Sequence, residues 1–252
     1  MHTVGEGLVV VPDIHGRYFW REAADRADGK HIVFLGDYGD PFPEEGIPAE
    51  QALKGLEDIL ARKRSLPEKT TLLLGNHDLQ YLWPDFPKRR YDTANARYYS
   101  SLIRENRDCF DLIASFHAQN RVVVLTHAGI LPEWLKANPT LFGIVGELPL
   151  YNGPTVADFD RPNALWREGA DTLLCEALSS ESALRGGHSP YGSMVWADVS
   201  EMRAVPVPLD VFQVFGHSRQ HGSPFVTDSF ACVDCSRAFL LDNNGVLSAF
   251  PQ

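Results

Sequence analysis

Five short apolar segments end in the same way, and this repeated ending restricts the fold more than any other feature of the sequence. Each is rich in Val, Leu, Ile or Phe and runs directly into a glycine or a tight turn that carries Asp, Asn or His. Short apolar runs between turn residues are typical of strands that are buried on both faces of a sheet. The five junctions are Val11-Pro12-Asp13-Ile14-His15, Leu35-Gly36-Asp37, Leu74-Gly75-Asn76-His77-Asp78, Leu125-Thr126-His127-Ala128 and Phe215-Gly216-His217.

The segments between and after these strands predict a layered α/β domain. Apolar residues fall on one face of a helix over Glu50–Ser65, and a second helix is predicted over about Asp92–Phe116, with a break near Asn106. Helices and strands alternate early in the chain, and the late part is mostly strand, which is typical of layered α/β architecture. The predicted strands are Leu8–Val11, His31–Leu35, Thr71–Leu74, Arg121–Leu125, Val211–Phe215, Phe230–Val233, Ala238–Leu241 and Val246–Phe250.

The chain has 252 residues, of which 44% are hydrophobic, and we expect a single domain spanning residues 1–252. Residues 131–207 differ from the rest because they are rich in Pro and Gly and poorly periodic. This composition predicts a loop-rich insertion with short helices above the core. Loops on a rigid scaffold commonly carry specificity, so we expect substrate selection in this insertion, in particular at Trp166, Arg167 and the loop Gly186–Trp196.

Composition excludes several classes of partner. The formal net charge is −10 and the sequence pI is near 5.3, which argues against a nucleic-acid-binding surface. The one dense basic run, Lys88-Arg89-Arg90, is more typical of a solvated loop than of a phosphate contact. The sequence has neither the pattern of a signal peptide nor an apolar stretch long enough to span a membrane. Four cysteines are too few for a disulfide scaffold, so we expect a cytoplasmic, reduced protein, with Cys232 and Cys235 as small apolar residues.

The side chains at the five junctions predict a metal site. Ligand sites of α/β sheets gather at the carboxyl ends of strands, and oxygen and nitrogen ligands together suit Mn, Fe, Zn or Ni. Any one junction alone is equally typical of a turn or of a strand-end histidine, so the prediction depends on all five occurring together. If Asp37 bridges, two metals are held, and such a pair can supply hydroxide and neutralise a phosphoryl group. The six candidate ligands are Asp13, His15, Asp37, Asn76, His127 and His217.

The junctions also resemble, in order, the motifs of the calcineurin-like metallophosphoesterase superfamily. The sequence is most similar to its serine/threonine phosphoprotein phosphatase branch and the bacterial relatives of that branch, which "PDIHGRY", "GDYGD" and, loosely, "VWADV" at 195–199 resemble. The resemblance implies a four-layer αββα fold, in which two packed mixed β-sheets are flanked by helices. It spans residues 13–217, most of the chain.

The resemblance also implies a role for each site residue. Asp13 and His15 would bind the first metal, and Asp37 would bridge the two. His77 would protonate the leaving alkoxide, and Asp40 would orient His77, which agrees with the ordinary behaviour of a carboxylate-held imidazole as a general acid. The second metal would be bound by Asn76, His127 and His217.

Two departures from the phosphatase branch concern the substrate. That branch has arginines where this chain has Pro41 and Leu74, and those arginines clamp the substrate phosphate in bidentate fashion. Replacement cations could come from elsewhere in the chain, and the two that follow the first and last metal motifs, Arg17 and Arg219, are predicted to bind substrate. The full set of candidates is Arg17, Arg97, Arg161, Arg167 and Arg219.

The leading functional hypothesis is a phosphatase-like phosphoesterase with two divalent metal ions, Mn²⁺ first and Fe, Zn or Ni as alternatives. It would hydrolyse phosphomonoesters, on a phosphoprotein or a small phosphoester, by attack of a metal-bound hydroxide. The alternative on the same fold is a nucleotide or dinucleoside-polyphosphate hydrolase or a phosphodiesterase, because the clamping arginines are absent. A non-catalytic scaffold is the third hypothesis, but a scaffold would be expected to lose ligands or the proton donor, and this sequence retains them.

Overall fold

Two six-stranded sheets form the centre of the protein in the computed structural model, which describes residues 2–3, 7–119, 121–144, 158–204 and 211–251. The strands are β1 (His2–Thr3), β2 (Leu8–Val11), β3 (His31–Phe34), β4 (Thr70–Leu73), β5 (Phe110–Asp111), β6 (Ala114–His117), β7 (Val122–Leu125), β8 (Val211–Phe215), β9 (Phe225–Val226), β10 (Phe230–Cys232), β11 (Ala238–Leu241) and β12 (Leu247–Phe250). The first sheet has the order β12-β11-β2-β3-β4-β5, and the second has the order β1-β6-β7-β8-β10-β9.

Helices lie in the connections. They are α1 (Phe19–Asp25), α2 (Ala49–Ser65), α3 (Asn76–Leu79), α4 (Ala96–Glu105), α5 (Pro132–Ala137), α6 (Arg161–Glu168), α7 (Asp171–Leu178) and α8 (Val199–Ala204), with short 3-10 helices at Pro43–Glu45, Pro67–Lys69, Arg107–Cys109, Pro139–Phe142 and Ala183–Arg185. Two mixed sheets flanked by helices confirm the expected fold class. Within the described residues, no helix has the length and apolar character that crossing a membrane requires.

Alternate residues of the strands face two different cores. In β2, Leu8 and Val10 pack between the sheets with Val123 and Val214 of the second sheet. Their neighbours Val9 and Val11 belong to a larger cluster that contains the apolar face of α2, represented by Leu56, Ile59 and Leu60. Because successive side chains of a strand point to opposite faces, a continuously apolar strand is what a sheet covered on both sides requires. This explains why the strand prediction from short apolar runs is confirmed.

One predicted helix is partly wrong. Helix α4 ends at Glu105, close to the predicted break at Asn106, but residues 110–117 form β5 and β6 rather than more helix. Strand β6 pairs antiparallel with β7, so that Phe116 lies opposite Val123. A partner that is later in the chain decides the conformation of this segment, and tertiary pairing commonly overrides local helical preference.

The strand directions determine where the site lies. In the first sheet, β2, β3 and β4 run parallel in sequence order, and in the second sheet β7, β8 and β10 run parallel. Each set brings its carboxyl ends to one edge. The five expected junctions are therefore divided between two sheets, three in one and two in the other.

The insertion at 131–207 is described in part, since 145–157 and 205–207 lie outside the described residues. Its described part consists of α5 to α8 and short turns. Trp134 and Trp166 of this segment are fully buried and donate their indole N–H groups to the carbonyls of Ala177 and Arg107. The first contact joins two helices of this segment, and the second attaches the segment to the 3-10 helix Arg107–Cys109.

Candidate active site

Tight turns at the strand ends place the candidate ligands. Asp13 and His15 follow β2, Asp37 follows β3, and Asn76 begins α3 directly after β4. Seven non-glycine residues of the described chain have positive φ, and five of them line or adjoin this site: His15, Asp37, Asp40, Arg90 and His217. Such backbone conformations cost free energy and concentrate at functional sites. Strained turns are therefore concentrated at the candidate active site.

Two histidines are held in the tautomer that binds metal. The Nδ1–H of His15 donates to the carbonyl of Gly39 at 2.9 Å, and that of His127 donates to the carbonyl of Leu35 at 2.8 Å. A carbonyl oxygen can only accept, so in the neutral ring the free lone pair is on Nε2. For both rings, this Nε2 points toward the Asp37 carboxylate, at 3.5 Å from His15 and 3.4 Å from His127.

Atoms that can accept hydrogen bonds or bind a metal therefore converge at this point. The Nε2 of His127 also lies 2.9 Å from Asn76 Oδ1 and 3.1 Å from His217 Nδ1. Among the described residues, the Nε2 of His217 is buried and has no hydrogen-bond partner. Lone pairs that face each other in this way repel unless a cation lies among them, so the donor set fits a bound metal ion.

The potential ligands form two groups that share one carboxylate. Asp13, His15 and Asp37 form the first, and Asp37, His127 and His217 form the second; within each group the ligand atoms lie within 4.8 Å of one another. The six predicted ligands are thus brought together from two sheets. Asp37 is the residue common to both groups, as a bridging role would require.

Glycines are required next to these carboxylates. A Cβ added to Gly75 would lie 2.1 Å from Asp37 Oδ1, and one added to Gly216 would lie 2.1 Å from Asp13 Oδ1. The backbone N–H of His217 also donates to both oxygens of Asp13, at 3.0 and 3.1 Å. The glycines of the Gly-Asn-His and Gly-His motifs are therefore explained by the close approach of a carboxylate to the backbone.

Burial favours the uncharged form of the titratable side chains at this site. Burial raises the pKa of Asp37 well above its usual range, and the neighbouring carboxylates of Asp13 and Asp78 raise it further. Burial also lowers the pKa of His15 and His217, which keeps both rings neutral and able to bind metal. Crowded carboxylates beside neutral imidazoles are a site in which divalent cations compensate the negative charge.

Asp78, the last residue of the Gly-Asn-His-Asp motif, joins two turns. Its carboxylate accepts from the backbone N–H groups of Asp37 at 2.8 Å, Tyr38 at 3.1 Å and Gly75 at 2.8 Å, and from the hydroxyl of Tyr99 at 2.6 Å. It is fully buried. These bonds fix the exits of β3 and β4 relative to each other, and so fix the Asp37 carboxylate.

His77 and Asp40 form a buried dyad beside the ligands. The Nδ1–H of His77 donates to Asp40 Oδ2 at 2.8 Å, and Asp40 also accepts from the side chains of Gln80 and Tyr81. Burial raises the pKa of Asp40 to about 7, although the bonds from Tyr81 and Gln80 act in the opposite direction. Burial lowers the pKa of His77. Burial thus favours the uncharged form of both members of the dyad.

Five of the six candidate ligands and His77 of the dyad line one cavity of about 310 Å³. Its floor contains Asp13, His15, Asp37, Asn76, His77 and His217, and its wall contains Phe42, Arg89, Arg90, Arg185, Trp196, Arg219 and Asp234. The wall is strongly cationic. A cationic wall above a carboxylate-rich floor favours an anionic substrate that approaches bound metal ions.

The predicted substrate arginines occupy different places. Arg219 lies on the cavity wall and contacts Glu45 at 2.8 Å and Glu44 at 3.5 Å. Arg17 is absent from the lining residues and forms a two-point contact with Glu45, at 2.8 Å for both Nε and Nη2. Of the other candidates, Arg161 donates to the carbonyl of Thr140 and Arg167 pairs with Asp111. None of Arg97, Arg161 and Arg167 lines the cavity.

The basic run at 88–90 is only partly the solvated loop that the sequence favours. Lys88 is exposed and donates to the carbonyl of Pro84, but Arg89 and Arg90 line the cavity. The insertion contributes Arg185 and Trp196, the latter from the segment "VWADV". The expected specificity residues Trp166 and Arg167 lie outside the lining.

Asp234 is a cavity residue that lies outside the five strand-end motifs. It is 4% exposed, and its Oδ1 has no hydrogen-bond partner among the described residues. Burial raises the pKa of Asp234 well above its usual range, and Asp13 adds to the effect. The sequence contains a signal for this residue, because Asp234 follows the predicted strand Phe230–Val233. In the structure, β10 runs parallel to β8. It is a sixth strand end of the same kind.

Ligands that suit divalent cations, next to a cationic wall, are compatible with metal-dependent hydrolysis of a substrate with negative charge. The family model for calcineurin-like phosphoesterases matches residues 8–220, and the chain belongs to that family. It is therefore a metal-dependent phosphoesterase, a phosphoric ester hydrolase, whose family implies divalent metal cofactors. The chain is also similar to a solved structure of a protein serine/threonine phosphatase from Saccharomyces cerevisiae with similarity to human phosphatase PP5, at a TM-score of 0.46 and 13% identity, covering 99% of this chain and 81% of that one.

Proposed function

We propose that this phosphoesterase hydrolyses phosphomonoesters and uses two divalent cations. One observation carries the proposal: two ligand groups share the Asp37 carboxylate, and the His77–Asp40 dyad adjoins them. A paired site next to a proton donor suits displacement of an alkoxide from a phosphoryl group. Mn²⁺ is the cation we propose first, because the ligands combine carboxylate, amide and imidazole groups.

Each residue has a part in this proposal. Asp13 and His15 would hold one cation, Asp37 would contribute to both sites, and Asn76, His127 and His217 would hold the second cation. When bound, the cations supply Lewis acidity, which makes water a stronger nucleophile at neutral pH and compensates charge on the phosphoryl oxygens. The carbonyls of Gly39 and Leu35 keep His15 and His127 in the ligating tautomer.

The dyad supplies the proton that the leaving group needs. His77 donates from Nε2, and Asp40 holds Nδ1 and compensates the charge of the imidazolium form. A bound phosphate dianion raises the pKa of His77 and opposes the effect of burial. Tyr81 and Gln80 hold the Asp40 carboxylate in place, so the ring has a single orientation toward the cavity.

The substrate in this proposal is a phosphorylated protein or a small phosphoester. The arginine-bearing wall supports an anionic substrate, and Phe42 and Trp196 give the same wall aromatic surface for its organic part. Comparison of substrates, rather than the geometry of the floor, determines the size of that organic part.

The test compares p-nitrophenyl phosphate with bis-p-nitrophenyl phosphate. The protein is stripped of metal, titrated with Mn²⁺, and its metal content is measured. We expect monoester turnover that reaches its maximum at two Mn²⁺ per chain and is lost in Asp37→Asn, because that substitution weakens both cation sites.

Full activity at one Mn²⁺ per chain, or in Asp37→Asn, would contradict the paired site. Preference for the diester would favour the phosphodiesterase alternative. Turnover of dinucleoside polyphosphates above both model substrates would favour the nucleotide alternative.

A further inference from the structure

We propose that Arg90 is the phosphate anchor of this site and that it selects monoesters over diesters. This inference rests on the proposed function and extends it to the means of substrate recognition. In the sequence, Arg90 belongs to the basic run that follows α3, far from any metal motif. Its role emerges from four observations on its charge, its side chain, its backbone and the residues around it.

The cavity arginines differ in their ion pairs. Arg89 pairs with Glu181 at 2.5 Å, Arg185 with Asp198 at 2.9 Å and Arg219 with Glu45 at 2.8 Å. Arg90 has no carboxylate within ion-pair distance among the described residues, although it lines the same cavity. A guanidinium already bound to a carboxylate has part of its donor edge occupied, so Arg90 is the arginine of this wall that is most able to bind an incoming anion.

The side chain of Arg90 is held over the floor. Its guanidinium carbon lies 3.8 Å from the centre of the Phe42 ring, and its Nη2 lies 3.3 Å from Nε2 of His15. Stacking on an aromatic ring fixes the plane of a guanidinium, and Nε of Arg90 also donates to the carbonyl of Asp40 at 3.3 Å. The donor edge is thus beside a metal ligand, where a phosphoryl oxygen would lie close to it.

The backbone of the same loop is fixed as well. Arg90 has φ +47°, and the side-chain amide of Gln80 contacts Arg89 on both sides: Arg89 N–H donates to Oε1 at 2.8 Å, and Nε2 donates to the Arg89 carbonyl at 3.1 Å. Gln80 also donates to Asp40 of the dyad. One buried amide therefore connects the arginine loop to the proton donor, and the strained backbone supports a functional position for Arg90.

Arg90 can replace the clamp that the sequence lacks. Pro41 and Leu74 occupy the positions at which the similar phosphatases have arginines. A monoester dianion has three terminal oxygens and a diester has two, so a contact in addition to the cations is available mainly with the monoester. A planar, bidentate donor suits that additional contact better than an ammonium group does.

The test uses Arg90→Ala and Arg90→Lys, with Lys88→Ala as the control. Lys88 lies in the same loop and carries the same charge, but it does not line the cavity. Two properties are measured on the Mn²⁺-loaded protein: kcat/KM for p-nitrophenyl phosphate and for its bis ester, and the Kd of inorganic phosphate by calorimetry.

We expect Arg90→Ala to lower kcat/KM for the monoester and to raise the Kd of phosphate by about 10- to 100-fold, the usual effect of one charge-assisted contact. Diester hydrolysis should change by about threefold or less, which is the size of a general charge effect. Arg90→Lys should recover only part of the loss, and Lys88→Ala should behave as the unmodified protein.

Equal losses on both esters, or unchanged phosphate binding in Arg90→Ala, would overturn the inference. Failure of the proposed function looks different, because the unmodified protein would then show no metal-dependent monoester turnover. The phosphate Kd still decides the role of Arg90 in that case, since binding needs no turnover. If Arg90→Ala does not fold, as judged by circular dichroism, Arg90→Lys gives the same comparison.

Discussion

The floor and the wall of the cavity are built in different ways. The floor side chains are buried, and backbone groups hold them: carbonyls orient the histidines, and strained strand-end turns carry the carboxylates. The wall arginines are partly exposed, with 40% of the Arg89 side chain and 23% of the Arg185 side chain accessible, and other side chains hold them. The chemistry is therefore encoded in short local motifs, and recognition is encoded in contacts between distant segments.

The largest expected effect concerns the His77–Asp40 dyad. We expect His77→Asn to lower kcat by about 10³-fold on phenyl phosphate, within the range typical of general acids. The loss should be much smaller on p-nitrophenyl phosphate, because p-nitrophenolate leaves readily without a proton. Asp40→Asn should show the same dependence on the leaving group to a lesser degree, because it leaves the imidazole in place. The measurement is a series of aryl phosphates of increasing leaving-group pKa.

The same loss across that series would contradict proton donation and would assign His77 a role in binding. Metal content is the control here, because His77 is outside both ligand groups. Its replacement should leave the number of bound Mn²⁺ ions unchanged.

A smaller loss, about 10²-fold in kcat/KM, is expected for Gly216→Ala on the floor, where displacement of a ligand by about 1 Å is costly. The added methyl group would lie 2.1 Å from Asp13 Oδ1, so the carboxylate must move. The control is Gly55→Ala inside α2, where the new Cβ meets only Tyr18 at 3.8 Å. That change should stabilise the fold by about 0.5–1 kcal/mol and leave activity unchanged.

Unimpaired Mn²⁺ binding in Gly216→Ala would show that the floor tolerates movement and would weaken the contrast with the wall. Melting curves for both variants separate a displaced ligand from a damaged fold.

The contrast also explains how far the sequence predicts the molecule. Strand ends and ligands are predictable together because a buried strand, a glycine and a ligand are adjacent in the chain, as in Leu74-Gly75-Asn76. The conformation of β6 is not predictable from its own residues, because it depends on pairing with β7. The roles of Arg90 and Gln80 are not predictable for the same reason. No local sequence pattern shows that the side-chain amide of Gln80 binds the backbone of a loop nine residues later. Asp234 was locally visible, but only the parallel pairing of β10 with β8 relates it to the site.

Gln80 joins the two regions, and its replacement should give about a tenfold loss, in the range for residues that orient functional groups. Gln80→Met keeps a long side chain and removes the bonds to Asp40 and Arg89. We expect KM to rise through Arg90 and kcat to fall through Asp40. In the Arg90→Ala background, the same change should raise KM no further, because contacts that act as a unit are not additive. Gln119→Met, at an exposed position, is the control.

A purely structural role for Gln80 would lower the melting temperature and leave KM and kcat of the folded enzyme unchanged. It would also make the two changes additive in KM, which the double-variant comparison detects directly.

The smallest effects are expected at the two arginines that the sequence assigns to the substrate, and that assignment stays a prediction. Arg219→Ala should raise KM by about twofold to fivefold, since its charge lies on the wall but Glu44 and Glu45 already compensate it. Arg17→Ala should have less effect, because two of its three contacting nitrogens bind Glu45, outside the cavity lining, and the third donates to the backbone carbonyl of Asp13. Steady-state kinetics at low and high salt test this, since charge effects at exposed sites weaken with ionic strength. A loss in Arg17→Ala as large as that in Arg90→Ala would mean that Glu45, once released from Arg17, competes with the substrate for the wall arginines. The wall would then act as one connected network of charges, instead of as one unpaired arginine among paired ones.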